Sequence, residues 1–158
     1  MSYPSGVGNA GNGTSLAAIT RNTNGAVTST VWNQGATPFF TNTVTRSQTG
    51  RVVTDSVNGG SMSSFEYDTA GRLKKATQPG HVLEYQFGTT ACGGTNPLNN
   101  AGSNSNRTAL IDNGVTVATY CYDNADRLVS TTAAGYGGGI SYDDHGNTTT
   151  LGSVRFFV

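Results

Sequence analysis

The chain has 158 residues, nine basic and nine acidic side chains, only 11% charged residues where about 25% is usual, and 22 glycines. With charge balanced and no basic run, the electrostatic footprint of a nucleic-acid binder is missing, and no nucleic-acid partner is expected. No window approaches the roughly 18 apolar residues of a membrane-spanning helix, so no membrane insertion is expected either.

Leu, Ile, Val and Phe together fall below the roughly 20% mark associated with disorder, but disorder of that kind also needs a high net charge. The remaining way to order a chain so rich in Gly, Thr, Ser and Asn is many short strands joined by tight turns. The expected fold class is all-β, one domain over residues 1–158. The opening Met1-Ser2-Tyr3-Pro4 has neither the basic nor the apolar region of a signal peptide. If exported, a chain with this start is expected to be a piece of something larger or to have lost its leader.

In chain order, the first turn signal is "RNTNGAV" (21–27), with a turn near 22–25, and the second is "RSQTGRV" (46–52), with a turn near 47–50. The third, "YDTAGRL" (67–73), turns near 68–71. Asp68 can accept backbone N–H bonds as an Asx turn, and Gly71 can take the left-handed conformation of a type I turn with a glycine bulge. Alternation then puts Phe65, Tyr67 and Leu73 on one face, and sets Asp68 opposite Arg72 and Glu66 opposite Lys74 on a wet face that pins the register. Further on, "HVLEYQF" (81–87) reads as a strand, "GGTNPLNNAGSNSN" (93–106) as a polar surface loop, and Asn113-Gly114 as a hairpin turn near 112–114. "YDNADRL" (122–128), with Tyr122, Asp123, Asp126, Arg127 and Leu128, turns near 123–126, and "YDDHGNT" (142–148), with Tyr142, Asp143 and Gly146, turns near 143–146. These five heptads share a turn former at position two, Gly or Asp at five and usually an aliphatic at seven, so they read as one repeated hairpin. The closing "VRFFV" (154–158) has strong strand propensity and is a pairing site if left at a free edge.

"FEYDTAGRL", "YCYDNADRL" and "ISYDDHGN" resemble the YD repeats of the Rhs (rearrangement hotspot) family, shared with bacterial polymorphic toxins, the cocoon subunits of insecticidal toxin complexes, wall-associated proteins and teneurins. "QPGHVLEYQFG" is similar to the Pro-Gly-led first strand of such a unit. Arg21 and Arg46 depart from the pattern, standing where the tyrosine of the motif belongs. The resemblance implies hairpins wound side by side into a spiral sheet, a partial shell, in which each repeat needs its neighbours to bury its apolar face. It also implies a structural, non-enzymatic role at the cell surface or outside the cell. Partners would be neighbouring repeats of a parent protein, or copies of the chain through its sheet edges, with a self-assembling filament or shell as the first rival.

The recurring Asp68, Asp123 and Asp143 could be imagined as a catalytic pair or as calcium ligands, but a residue that recurs once per repeat at a turn is there for the turn. No catalytic, cofactor-binding or metal-binding residue is assigned, and no cofactor is expected. Cys92 and Cys121 are either buried thiols or, given their even count in a chain of exported type, a disulfide across the polar loop. Tyrosines and Trp32 at period two could stack on a glycan; packing between hairpins is the stronger reading.

Overall fold

The computed structural model describes residues 2–4, 11–88, 105–136 and 139–155, and among them the protein is all-β, with no helix. The chain divides into two compact units. The first comprises Met1–Glu66 and Ala76–Gly80; the second comprises Tyr67–Lys75 and His81–Val158.

In the first unit, β1 (Ser2–Pro4), β2 (Gly11–Arg21), β3 (Val27–Gln34), β4 (Thr37–Arg46), β5 (Val52–Val57) and β6 (Ser63–Tyr67, without its last residue) pair antiparallel in chain order. Strand β7 (Leu73–Gln78) contributes residues 76–78 to this unit and 73–75 to the second. In the second unit, β8 (His81–Gln86), β9 (Ala109–Asp112), β10 (Val115–Tyr122) and β11 (Leu128–Thr131) are likewise successive antiparallel neighbours. Strands β12 (Ile140–Tyr142), β13 (Thr148–Leu151) and β14 (Val154–Arg155) form a small three-stranded sheet.

Five turns are built alike. The position-two N–H donates to the carbonyl of the residue four further on, and the N–H three residues on donates back to the position-two carbonyl. The pairs are Asn22 with Ala26 and Gly25, Ser47 with Arg51 and Gly50, Asp68 with Arg72 and Gly71, Asp123 with Arg127 and Asp126, and Asp143 with Asn147 and Gly146, all at 2.8–3.0 Å. This is a type I turn closed by a left-handed residue, the three-residue hairpin with a G1 bulge. The left-handed position is glycine in four turns, with φ of 79° to 85°, and Asp126 in the other, at φ 62°.

Asn113 and Gly114, at φ 49° and 80°, form a two-residue loop with left-handed conformation at both positions, the type I′ geometry that Asn-Gly favours. Asn58 and Gly59, at φ 53° and 65°, connect β5 to β6 and were open to the same reading of an Asn-Gly pair. The two asparagines do the same second job. Each donates its N–H to a carbonyl on the neighbouring strand and accepts that residue's N–H on Oδ1: Asn58 with Thr41 (2.7 and 2.6 Å), Asn113 with Val82 (2.9 and 2.9 Å). The asparagine thereby extends the ladder by one residue into the turn.

Burial is thin. Among the described residues only Ala76, Ala109, Ala118, Cys121, Thr108 and Gly152 are buried, and no large side chain is fully so. Phe65, Tyr67 and Leu73 are half-buried, which lowers the energy each contributes below that of a core residue. Cross-strand pairing carries more of the load. In the first unit Leu16, Trp32 and Phe40 stand opposite one another across β2, β3 and β4, and the hydroxyls of Thr45 and Thr54, also opposite, lie 2.6 Å apart.

Gly71 stands at φ 80°, where a β-branched side chain is strained. Gly71→Val is expected to cost about 2 kcal/mol, whereas Thr69→Val, at an exposed turn position, should cost under about 0.5 kcal/mol. Urea midpoints of the two variants check the ranking, and equal losses would refute the turn assignment.

Candidate functional site

The bulged turn creates a specific polar problem, and the position-two side chain solves it. The position-two carbonyl already accepts the N–H three residues on, so the N–H of the fourth residue has lost its ladder acceptor. In each turn a side-chain oxygen takes that N–H: Asn22 Oδ1 from Ala26 (3.0 Å), Ser47 Oγ from Arg51 (3.2 Å), Asp68 Oδ1 from Arg72 (2.8 Å), Asp123 Oδ1 from Arg127 (2.9 Å) and Asp143 Oδ1 from Asn147 (2.8 Å). The second carboxylate oxygen holds the side chain of that same fourth residue. Arg72 Nε donates to Asp68 Oδ2 and Arg127 Nε to Asp123 Oδ2, both at 2.7 Å, and Asn147 Nδ2 donates to Asp143 Oδ2 at 2.9 Å.

These donors fix the charge state of the carboxylates. At Asp68 and Asp123, desolvation pushes the pKa up. It is outweighed by the backbone N–H and guanidinium of Arg72 and Arg127, with help from the N–H groups of Ala70 and Ala125, so both groups are held below the ordinary value of 3.8. At Asp143 the Asn147 side chain is the largest influence. Against a smaller desolvation, it and the N–H groups of Asn147, His145 and Gly146 lower the value.

Position one of the heptad reaches across to the preceding repeat. The Tyr142 hydroxyl donates to the carbonyl of Leu128, position seven of the heptad before it, at 2.8 Å. In the first unit, Arg46 Nε donates to the carbonyl of Val27, again position seven of the preceding heptad, at 3.1 Å. Arg46 and Arg21 also donate from Nη1 to the carbonyls of Gly50 and Gly25 in their own turns, at 3.0 and 2.7 Å. The arginines that depart from the YD pattern therefore supply a donor at the position the tyrosine occupies. Tyr122 places its hydroxyl on the Arg107 carbonyl at 2.8 Å, and burial raises its pKa, with Arg107 opposing, so it stays a protonated donor at neutral pH.

Two of the three arginines at position six, Arg72 and Arg127, lie over rings, while Arg51 is exposed. The Arg72 guanidinium sits 4.3 Å from the Phe87 ring centroid and that of Arg127 sits 4.9 Å from the Tyr142 centroid. The strict two-face alternation expected for residues 65–75 therefore fails at Arg72: the bulge inserts a residue and re-aims the side chain that follows it. Arg107 in turn lies over Tyr85 (5.3 Å) and Tyr120 (4.9 Å). A shallow concavity of about 510 Å³ in the second unit, open to solvent, is lined by Leu73, Tyr85, Phe87, Ser105, Asn106, Arg107 and Tyr122.

Cys121 is buried on β10, whereas Cys92 and most of the polar loop, residues 93–104, lie outside the described residues, and so does their pairing. Of the closing "VRFFV", residues 156–158 lie outside as well. His81 Nδ1 is 2.7 Å from Asp112 Oδ2, and His145 donates its backbone N–H to Asp143. Among the described residues no three His, Cys, Asp or Glu side chains gather where a metal ion could bind. Trp32 is half-buried; the exposed rings among the described residues are Phe39 and Tyr136. Arg107 and Asn58 went unread in the sequence, and Asn113 was read for its turn but not for its bonds to Val82; the Asn-Gly pair at 58–59 signals a turn, but nothing local marks Arg107.

Carboxylates with lowered pKa values stabilise the fold above their unfolded value, and that contribution is lost as pH falls through the folded value. Urea midpoints are expected to hold from pH 7 down to about 5 and to fall below about pH 4. In the triple variant Asp68→Asn, Asp123→Asn, Asp143→Asn this acid loss should flatten; an unchanged acid loss would remove the turn carboxylates as its source. Tyr142→Phe removes the inter-repeat donor and is expected to cost about 1 kcal/mol; no change in its urea midpoint would mean the Leu128 bond carries nothing.

Compared with known proteins, the chain matches no family model and no curated protein, so its function is argued from the turns, the inter-repeat bonds and the cavity.

Proposed function

We propose that this chain is a structural, non-enzymatic segment of a YD-repeat shell or scaffold, belonging to a secreted or surface bacterial protein of the Rhs type. The observation that carries this reading is the use to which the recurring residues are put. Asp68, Asp123 and Asp143 bind their own turns, while Tyr142 and Arg46 bind the preceding repeat. Residues that recur for catalysis would converge on a common substrate position, whereas each of these is satisfied within its own turn or by the preceding repeat. Such a wall would enclose a cargo polypeptide or present a rigid surface.

A Cys92–Cys121 disulfide is part of the proposal and would place the protein outside the cytoplasm. It rests on the even cysteine count and on the long polar loop between the two positions. Closing a loop of about 30 residues would stabilise the fold by roughly 3 kcal/mol.

Self-assembly through sheet edges is the second reading, favoured by β14, where Val154 is 53% exposed. Light scattering over a concentration series, with and without reductant, separates the two. A scaffold segment is expected to stay monomeric at every concentration and to lose stability on reduction. Growth into polymers would make assembly the function, and indifference to reductant would remove the disulfide.

A further inference from the structure

The cavity of the second unit has walls of one chemistry and a charge of another. Leu73, Tyr85, Phe87 and Tyr122 give it flat apolar sides. Among the described residues Arg107 is its only charged lining residue. Arg72 and Arg127 each hold a turn carboxylate, but Arg107 has no carboxylate partner among the described residues. Its Nη2 donates to the Tyr120 hydroxyl at 3.2 Å, with ring faces of Tyr85 and Tyr120 nearby. Ring faces compensate a half-buried guanidinium only in part, and its planar fork of five donors suits a carboxylate. The Tyr122 hydroxyl is engaged by the Arg107 carbonyl and does not compete for an anion.

We infer that this cavity is a binding site for a small aromatic carboxylate, its ring laid against Tyr85 and Phe87 and its carboxylate on Arg107. The concavity is broad and open to solvent, about 510 Å³, so a ligand of one or two rings would lie along it with one side exposed. An aromatic acid satisfies both parts of the lining at once: offset stacking on the rings, and a charge-assisted pair with the cation. A scaffold role requires no such ligand, so the inference stands apart from the function proposed above.

The test is ligand-observed NMR titration of the full chain with 2-naphthoate, its neutral amide 2-naphthamide, and glucuronate, an acid without an aromatic ring. The acid is expected to bind at least about ten-fold tighter than the amide, and glucuronate should be weaker than naphthoate. Arg107→Gln should remove the preference of acid over amide. Because that change also disturbs the ring stack, Ser105→Trp, at an exposed lining position, provides a second variant that should weaken naphthoate while leaving the urea midpoint unchanged. Equal binding of acid and amide, tighter binding of glucuronate, or no binding of naphthoate would each overturn the inference.

Discussion

The fold depends on a side-chain oxygen at the first corner of each bulged turn. A G1 bulge gives a hairpin a tight return, but it redirects one carbonyl and strands the N–H of the residue that follows the left-handed position. An unpaired amide there would cost as much as a lost hydrogen bond or more, five times over. Asp, Asn and Ser at position two remove that cost by accepting the stranded N–H. With little large apolar surface buried among the described residues, satisfied polar groups decide the register of these sheets more than a packed interior does.

From that corner the organisation spreads one repeat at a time. The position-two carboxylate orients an arginine, the arginine covers a ring, and the Tyr142 ring covered by Arg127 belongs to the next heptad, whose hydroxyl returns a bond to Leu128. Every link joins near neighbours, as in solenoids, whose stability is a sum of repeat and interface terms. The same economy appears at the Asn58 and Asn113 turns, where one side chain lengthens a ladder by a residue. The proposed wall or scaffold would use such links, since there extension matters more than a single enclosed site. Arg107 stands apart because its charge is answered by rings and by no described carboxylate.

Local features were legible in the sequence because their causes are local. An acceptor at position two and Gly71 or Gly146 at position five specify the bulged turn by steric and hydrogen-bonding rules that operate within five residues. Asp126 shows the limit of the glycine rule: aspartate tolerates the left-handed conformation well enough to replace it. The destination of Arg72 was not legible, because the bulge breaks the alternation from which faces are assigned. The equivalence of Arg46 and Tyr142 was hidden too. The two side chains share no chemistry except a donor at similar reach, and only the spatial relation of adjacent heptads reveals it. The division into two units crosses β6 and β7 inside one heptad's hairpin, and no composition shift marks it.

Amide hydrogen exchange at the five stranded positions tests the central claim most directly. The N–H groups of Ala26, Arg51, Arg72, Arg127 and Asn147 are donated to side-chain oxygens of position two. The account predicts protection comparable to the ladder amides of the same hairpins, with the Arg127 amide losing it selectively in Asp123→Ala. Exchange of these five amides at unstructured-chain rates in the native protein would contradict it.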